Sequence, residues 1–337
     1  MSEPVPALVV APGTGLSTEL AADIEAAKIF IDHAKSAATL RAYRADWACF
    51  TAWCSDHAID PMPASPGQVA TFLGHRARVD VIADGKPRAR DAVTTLARRI
   101  AAINHMHHEG GYPGPSDNDP AKLIARALAG ARADYGRPPT RKRPTRAPVL
   151  CDMIETIEGV TLRPLRDRAI LALGMAAALR RSELVALDLA DIGFVDEGAD
   201  VFIAKSKTDQ LREGKVIAIP TGHRIRPVAH LQDWIDARGD EPGPLFQRLT
   251  HHDELTGHRM SDRAVARLIK AAASKIGLSA ADYSGHSLRS GFLTEAAAAG
   301  ATIAKMQETS RHKTVAILLG YVQDAERYKN HAGESFL

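Results

Sequence analysis

The sequence predicts two domains, an all-α domain followed by a mainly α-helical domain that contains a small β-sheet. At 337 residues the chain is too long for one ordinary hydrophobic core. Apolar residues recur at helical spacing in the first part, and a proline-rich stretch then separates it from a part with mixed helix and strand patterns. We expect a leader over 1–19, the all-α domain over 20–136, a linker over 137–148 and the second domain over 149–337, with a tail from about residue 323.

Five helices are predicted in the first domain, and none of its segments has a convincing strand pattern. They cover residues 17–34, 36–58, 66–79, 91–110 and 119–136, the last opened by an Asp-Pro start signal. The second helix carries one apolar stripe, formed by Leu40, Tyr43, Trp47, Phe50 and Trp53. We assign this stripe to the core of the domain and not to base stacking.

The predicted linker, RPPTRKRPTRAP, holds four prolines and five basic residues. Prolines at this density prevent a helix, so we expect an extended segment whose charge would let it lie along a phosphate backbone. In the second domain, helices are predicted over 149–158, 164–178, 181–188, 224–238, 261–277, 286–299, 302–309 and 314–322. Strands are predicted around 200–204 and 215–219, with SKTDQLREG as the turn between them.

Basic residues are concentrated in residues 76–146, which hold 15 basic against 7 acidic side chains. Such a local excess suits a polyanionic partner, since each neutralised phosphate releases condensed counterions. A solvated basic face is the alternative, and charge alone does not separate the two.

Several features bear on the class of protein. The longest apolar run, AILALGMAAAL over 169–179, is too short to span a bilayer and predicts a buried helix. The N-terminus lacks the pattern of a secretory signal, and the three cysteines have no ligand-like spacing, so we expect a cytoplasmic protein with reduced thiols. The histidines of HMHHEGG, residues 105–111, are expected at a solvated helix end and not in a metal site.

Two candidate functional positions taken alone have ordinary explanations. Arg180 and Glu183 follow the buried helix at i,i+3 spacing, which is typical of a surface ion pair. Lys207 stands at a strand end beside the predicted turn, where a lysine is usually solvated.

The stretch YSGHSLRSGF is more unusual. His286 and Arg289 share one helical face, with Gly285 and Gly291 on either side. Small neighbours permit close approach of another backbone or of a phosphate. A capping histidine with a surface arginine remains the alternative.

The stretch SRHKTVAILLGYV contains His312 and Tyr321. Nine residues are two and a half helical turns, so the two side chains would point in opposite directions from one continuous helix. Tyr321 alone would be assigned to the core. We instead expect His312 just before the helix and Thr314 near its cap, with the helix anchored by the packing of Val315, Ile317, Leu318 and Leu319.

Taken together, two arginines, two histidines, a lysine and a tyrosine suit phosphoryl chemistry. Guanidinium groups offer bidentate donors to phosphate oxygens and stay charged. A tyrosine can form a covalent phosphoester if its phenol is deprotonated as it attacks. Histidine can take that proton, and lysine can donate one to the departing oxygen.

The order of these residues resembles the tyrosine recombinases, also called the phage-integrase family. Their first motif, roughly Gly-Leu-Arg-x-x-Glu-Leu, is matched by residues 178–184, and their hairpin lysine before a threonine by residues 207–208. Their His-x-x-Arg motif is matched by residues 286–289, and a histidine nine residues before the nucleophile by His312. The N-terminal segment SAATLRAYRADWACFTAWC is similar to that family's core-binding domain, so the resemblance covers roughly residues 20–330.

The sequence departs from the family pattern in two places. Ala178 replaces the usual glycine before Leu-Arg, which asks for a slightly different backbone at that turn. Ser310 and Arg311 replace a common Leu-Gly before the third-motif histidine. Neither departure removes a functional group, so both bear on the subfamily and not on the chemistry.

The resemblance implies a SAM-like core-binding domain, a catalytic domain of the DNA breaking-rejoining fold, and a site-specific recombinase that needs neither metal nor cofactor. The implied catalytic residues are Arg180, Lys207, His286, Arg289, His312 and Tyr321, with Glu183 orienting a neighbouring catalytic side chain. The implied partners are double-stranded DNA and further copies of the chain, as a tetramer on two DNA sites, whereas accessory proteins are not specified. The tail, with Phe336 and Leu337, would dock on a neighbouring protomer or fold back in cis.

Candidate DNA contacts follow from the basic residues of the first domain and the linker. They are Arg41, Arg44, Lys86, Arg88, Arg90, Arg98, Arg99, Arg141, Lys142 and Arg143. Two other classes of function remain open, a DNA-binding accessory protein without catalysis and a type IB topoisomerase that relaxes DNA without pairing two sites.

Overall fold

The computed structural model describes residues 35–83, 86–136, 142–204 and 214–327, together with residues 20, 22, 23 and 26. The chain divides into two compact units, Met1–Pro139 and Thr140–Leu337. The chain is mainly helical with small antiparallel sheets, which confirms the fold class predicted for the second domain. None of the helices in these ranges is long and apolar enough to cross a membrane.

The first unit contains α1 Ala37–Asp56, α2 Pro66–Ala77, β1 Val79–Ala83, β2 Lys86–Ala89, α3 Val93–Glu109 and α4 Leu123–Tyr135. Side chains define where these helices begin. Ser36 Oγ accepts a hydrogen bond from the Thr39 N–H, and Ser65 forms a capping box with Gln68. Asp119, in the predicted Asp-Pro signal, caps α4 by accepting two backbone hydrogen bonds. Of the helix predicted over 17–34, only four residues are described, and these are helical.

The expectation that the first domain lacks strands is wrong. β1 and β2 form an antiparallel hairpin. The sequence contains the physical reason, because β-branched residues recur in VDVI and an Asp-Gly pair, common in hairpin turns, separates the two strands.

Aromatic residues form the core of the first unit. Phe50 and Phe72 are fully buried with ring centroids 5.1 Å apart, and Trp53 packs beside them. Trp47 is partly buried against the same cluster. Three of the five residues of the predicted stripe therefore belong to this core, whereas Leu40 and Tyr43 are partly buried outside the cluster.

The histidines near the end of α3 do not all lie at a solvated helix end. His107 is fully buried, and its Nε2 accepts a hydrogen bond of 2.8 Å from the Ala64 N–H. Burial lowers the pKa of His107, which keeps the ring neutral. His108 is exposed and contacts Asp117. The prediction of a solvated end is wrong for His107 because its ring satisfies a buried backbone group 43 residues away.

The second unit contains the remaining elements. They are α5 Ala147–Glu155, α6 Leu162–Ala176, α7 Arg181–Ala186, β3 Ile192–Val195, β4 Gly198–Ile203, β5 Lys215–Pro220, α8 Pro227–Arg238, β6 Gln247–Leu249, β7 Leu255–Arg259, α9 Asp262–Lys275, α10 Ser287–Ala298, α11 Ile303–Ser310 and α12 Val315–Ala325. All eight predicted helices are present, as are both predicted strands, which correspond to β4 and β5. The sequence does not predict β3, β6 and β7. Each is a short strand in which polar or small residues interrupt the alternation of apolar and polar residues that marks a strand.

Helix α6 lies at the centre of the second unit. Residues 169–173 are fully buried, which confirms the buried helix predicted from the apolar run. The sheet has the order β3-β4-β5, and all its neighbouring strands are antiparallel. Trp234 of α8 is also fully buried, and its Nε1–H donates to the Leu245 carbonyl at 2.9 Å.

Residues 142–146, the described part of the predicted linker, are bound to the second unit. The Thr145 N–H donates to the Ser287 carbonyl at 2.9 Å, and Arg146 Nε donates to Glu295 Oε1 at 2.8 Å. The chain then enters α5 at residue 147.

Helix α12 is held by less packing than its sequence suggests. Leu318 is its one buried residue, whereas Val315, Ile317 and Leu319 have 42%, 50% and 44% of their surface exposed. The prediction that all four anchor the helix is therefore wrong for three of them. Leu318 lies on the face of α12 that packs against α10 and α11, and a single contact face cannot bury apolar residues at consecutive positions.

Candidate active site

The turn between α6 and α7 positions the first predicted motif. The backbone of Ala178 has φ 48°, in the left-handed region that favours glycine. Ala178 therefore adopts a conformation that glycine reaches without steric cost. Arg180 follows as the residue that caps α7, and its N–H donates to Glu183 Oε2 at 2.9 Å.

Arg180 and Glu183 are more than a surface ion pair. Arg180 Nη1 also donates to Glu183 Oε1, and the Glu183 side chain is only 3% exposed. The other Glu183 oxygen, Oε2, accepts a hydrogen bond of 2.8 Å from Arg311 Nη2. Burial alone would raise the pKa of Glu183, but Arg311 and Arg180 outweigh it and hold that pKa below its ordinary value.

Arg289, in the first turn of α10, is completely buried. Its Nη1 donates to the Ala178 carbonyl at 2.6 Å, whereas its Nε has no hydrogen-bond partner in the part of the chain that the structure describes. Burial, followed by the charge of Arg180, lowers the pKa of Arg289 to about 9, so the side chain remains charged at neutral pH. A buried cation with an unpaired N–H is suited to hold an anion.

His312 lies beside Arg289, two residues before the cap of α12. Arg289 Nη2 approaches His312 Nδ1 at 3.3 Å and Nε2 at 3.5 Å, and Ser310 Oγ lies 2.8 Å from Nδ1. Burial lowers the pKa of His312 to about 4, with Arg289 and Arg180 as the next causes. The ring is therefore neutral at physiological pH and offers one N–H.

His286 and Tyr321 line one cavity of about 940 Å³. His286 caps α10 and has an exposed side chain, and Tyr321 lies on α12 against the cluster around Leu318. Desolvation comes first and Arg289 second among the causes that lower the pKa of His286, which favours a neutral imidazole. Tyr321 is close enough to Arg289 for a phenolate there to raise the pKa of that guanidinium.

The two glycines of the second motif have the predicted use. A Cβ at position 291 would lie 2.0 Å from the Thr145 carbonyl oxygen, and one at position 285 would lie 2.8 Å from Arg181 Cδ. Gly291 therefore permits the close approach of another backbone, and Gly285 that of a side chain.

The structure thus brings together five of the six predicted catalytic side chains in two adjoining groups. One is an arginine cluster around Glu183, formed by Arg180, Arg289 and Arg311 and bordered by His312. The other is the cavity that His286 and Tyr321 line. Three guanidinium groups against one carboxylate leave an excess of positive charge, as an anion site requires. Within the described ranges, no group of three or more His, Cys, Asp or Glu side chains could hold a metal ion.

Lys207, the sixth predicted catalytic residue, lies outside the described residues, as does Arg141. Lys86 and Arg88 lie on β2.

The other candidate DNA contacts of the first unit differ in exposure. Arg41 and Arg44 are exposed on α1. Arg98 forms a bidentate pair with the buried Asp46 at 2.7 and 3.1 Å and leaves 49% of its side chain exposed. Arg99 is buried and contacts Asp46 at 3.2 Å and Asp91 at 2.8 Å, so its charge is paired inside the unit.

Three further candidates are exposed and have partners. Arg90 Nη1 lies 2.8 Å from His75 Nε2, and Arg143 Nε lies 3.3 Å from Asp282. Lys142 donates to a backbone carbonyl of the second unit. Such exposed contacts contribute little to stability, so they do not exclude these three side chains from a phosphate surface.

Arg311 is the residue of this site that the sequence reasoning missed. It was noted only as a departure from a common glycine. The available signal was a charged residue at a position where the family favours glycine, next to a functional histidine.

Comparison with known proteins agrees with this geometry. The model of the phage integrase family matches residues 145–327, more than half of the chain. An integrase/recombinase xerD homolog from Selenomonas ruminantium is 32% identical over 310 residues, which cover 91% of this chain and 87% of that protein.

Two solved structures share the fold. A lambda integrase dimer bound to a COC′ core site superposes with a TM-score of 0.54 at 18% identity, covering 89% of this chain and 93% of that one. The XerH site-specific recombinase bound to a palindromic difH substrate, a post-cleavage complex, gives 0.55 at 13% identity, covering 79% and 70%. Tyrosine recombinases are DNA breaking-rejoining enzymes. The family match and the 32% identical relative show that the chain belongs to the phage integrase family, the tyrosine recombinases.

Proposed function

We propose that this chain is a site-specific recombinase that cuts and rejoins DNA through a 3′-phosphotyrosyl intermediate on Tyr321. The observation that carries the proposal is the fully buried Arg289, whose unpaired Nε lies in a cluster of three guanidinium groups beside a tyrosine. A DNA phosphate bound beside this cluster would compensate the excess positive charge.

In the first step the Tyr321 oxygen attacks the phosphorus in line with the bond to the 5′ oxygen. The new phosphorus–tyrosine bond forms as the phosphorus–O5′ bond breaks, so one phosphodiester is exchanged for another. The phenol proton passes to His286, whose lowered pKa leaves it neutral and able to accept. Lys207 has the role that the family resemblance implies, which is to give a proton to the departing 5′ oxygen.

Arg180 and Arg289 hold the non-bridging oxygens of the phosphate and stabilise the charge that develops on them in the transition state. His312 donates its single N–H to the same group. Glu183 keeps Arg180 in place through contacts with both its backbone and its side chain. The guanidinium groups supply the positive charge, so the proposed step uses no divalent metal.

In the second step a 5′-hydroxyl from a partner duplex attacks the phosphotyrosine and releases Tyr321, which completes strand exchange. Each of the two duplexes is cut once on each strand, and each cut uses one copy of the chain. Four copies are then needed, so we propose a homotetramer on two DNA sites. The chain would work in the cytoplasm, where such DNA is accessible. Exposed Arg41 and Arg44, with the basic residues of β2 and of the 137–148 segment, are the proposed phosphate contacts.

The test is covalent trapping. The substrate is genomic DNA of the organism that encodes the chain, into which a few single-strand nicks have been introduced. Where a nick lies close to a cleavage site, cleavage releases a short strand that diffuses away. The covalent adduct then cannot be reversed by rejoining. The DNA is incubated with the protein and denatured with detergent. Protein-bound DNA is recovered and sequenced, and we expect one sequence to be enriched, with its 3′ end on Tyr321.

The outcomes separate the classes of function. A DNA-binding protein without catalysis would give no adduct. A topoisomerase would give adducts without a preferred site and would relax supercoiled DNA without joining two duplexes. Exchange of strands between two duplexes that carry the recovered sequence supports the recombinase.

A further inference from the structure

The dipeptide Ser310-Arg311, where the sequence departs from the family pattern, is buried beside the arginine cluster. Ser310 is fully buried and Arg311 is 9% exposed. Arginine is rarely buried unless its charge is paired. Both side chains contact residues to which the proposed function gives a role.

Arg311 adopts a backbone conformation in which most residues are strained. Its φ of 57° ends α11 in the left-handed region, which is strained for a non-glycine residue. The side chain contacts offset this strain. Arg311 Nη2 donates to Glu183 Oε2 at 2.8 Å, and Nη1 donates to the carbonyls of Thr309 at 2.8 Å and Ala177 at 3.4 Å.

Arg311 therefore acts on Arg180 through Glu183. Glu183 contacts Arg180 with one oxygen and Arg311 with the other, so its negative charge is shared between two guanidinium groups. Without Arg311 the carboxylate would lose one of its two guanidinium hydrogen-bond partners, and less of the Arg180 charge would be available to a phosphate. Two of these contacts join the end of α11 to α7 and to the turn before it, through Glu183 and the Ala177 carbonyl.

Ser310 acts on His312. A guanidinium only donates hydrogen bonds, and the shorter contact of Arg289 with the ring is to Nδ1. Ser310 Oγ lies 2.8 Å from Nδ1, and its hydroxyl can donate or accept. An Nδ1 that accepts from this hydroxyl places the hydrogen of the neutral ring on Nε2.

We propose that Ser310 and Arg311 are positioning residues of the phosphate site. Arg311 holds Glu183 and through it Arg180, and Ser310 fixes His312 as the tautomer with hydrogen on Nε2. This inference rests on the proposed function, because it assigns the two residues to the same reaction.

The role of Ser310 is tested by NMR without any DNA. The full chain is labelled with ¹⁵N-histidine, and the His312 signals are identified by their loss in His312→Gln. We expect His312 to carry its hydrogen on Nε2 in the wild type and to populate both tautomers in Ser310→Ala. Thr309→Ala, which removes a neighbouring hydroxyl bonded only to its own helix, should leave the His312 signals unchanged. A wild-type ring with hydrogen on Nδ1, or an unchanged spectrum in Ser310→Ala, overturns this part.

The role of Arg311 is tested by single-turnover cleavage of a nicked duplex carrying the recovered site, with protein in excess. Misplacement of Arg180 should make Arg311→Met cleave about 10²-fold more slowly while binding the duplex as the wild type does. Arg311→Lys, which keeps the charge, should recover part of the rate.

The matched control is Arg259→Met. Arg259 also joins a carboxylate, Asp188, to two backbone carbonyls, those of Val185 and Leu187, and none of these three residues has a role in the proposed reaction. It should lose stability and keep its cleavage rate. Equal loss of rate in Arg259→Met and Arg311→Met would mean that Arg311 is merely structural, and so would an unchanged rate in Arg311→Met.

Experiment can distinguish a failure of this inference from a failure of the proposed function. A wild type that forms no adduct contradicts the function, whereas the tautomer of His312 is still measured. If Arg311→Met does not fold, Arg311→Lys decides, since a wild-type rate in a variant without the planar guanidinium contradicts the proposal.

Discussion

Arg289 donates a hydrogen bond of 2.6 Å to the carbonyl oxygen of Ala178, 111 residues earlier in the chain. The contact joins the first turn of α10 to the turn that presents Arg180. The left-handed conformation of Ala178 is thus a structural requirement of the site, because it aims this carbonyl at the guanidinium.

Ala178→Gly should preserve this turn and relieve its strain. Glycine adopts a positive φ without steric cost, so we expect the free energy of unfolding to rise by up to about 1 kcal/mol. The control is Ala177→Gly, since Ala177 is also fully buried but has φ −90°. That change should destabilise the protein by about 0.5–1 kcal/mol, as measured by urea unfolding. Equal effects of the two changes would show that Ala178 is not strained.

Arg289→Met should separate activity from stability. Removing a donor to the transition state should lower single-turnover cleavage about 10²–10³-fold. Because Arg289 is buried beside two other guanidinium groups, its loss should leave the stability unchanged or raise it by about 1–3 kcal/mol.

The comparison variant is Arg166→Met. Arg166 is also buried, but it pairs with Asp167 at 2.8 Å. Its loss leaves a carboxylate unpaired and should cost about 3 kcal/mol. A similar loss of stability in Arg289→Met would contradict the expectation that burying the Arg289 charge does not stabilise the fold.

His312 should remain neutral far below the usual pH range of histidine. With a pKa of about 4, its C2–H resonance should not titrate between pH 5 and 8. Arg289→Met removes the second cause of this shift and should raise the pKa. The folded-state value lies below that of the unfolded chain, so the His312 contribution lowers stability as pH falls from about 6.5 to about 4. Titration of His312 near pH 6.5 in the wild type would exclude its burial beside the arginines.

Tyr321→Phe should bind the recovered DNA site with wild-type affinity and form no covalent adduct, because only the nucleophilic oxygen is lost. Gel electrophoresis after detergent treatment measures the adduct. Tyr328→Phe, which changes the neighbouring tyrosine, should react normally. If Tyr328→Phe abolishes the adduct instead, the nucleophile is wrongly assigned.

Chelation of divalent ions should leave cleavage intact. The proposed charge stabilisation comes from arginines, so an excess of EDTA should not change the rate of adduct formation on the nicked duplex. A strict requirement for Mg²⁺ would contradict the proposed chemistry.

The sequence predicted the helices of the second unit well because their apolar residues recur with helical period. It also predicted five side chains that the structure brings to adjoining places, since their order matched a family pattern. Helical spacing alone would have left Arg180 and Glu183 on the surface, whereas Glu183 is buried and contacts Arg311, 128 residues later in the chain.

Arg311 and His107 show why the rest was not predictable. Arg311 meets Glu183 across 128 residues, and His107 meets Ala64 across 43. No local period encodes such contacts, because they depend on how elements pack. The short strands β3, β6 and β7 were missed for a related reason, since pairing with a neighbour defines them more than their own residues do.

The contacts of residues 142–146 determine at which residue a fragment that comprises only the second unit can begin. The Thr145 carbonyl oxygen lies so close to α10 that a single methyl group on Gly291 would collide with it. A truncated protein that starts at residue 147, where α5 begins, would expose that glycine surface and leave Glu295 without its arginine. The shortest catalytic fragment that retains its own packing therefore starts no later than Lys142.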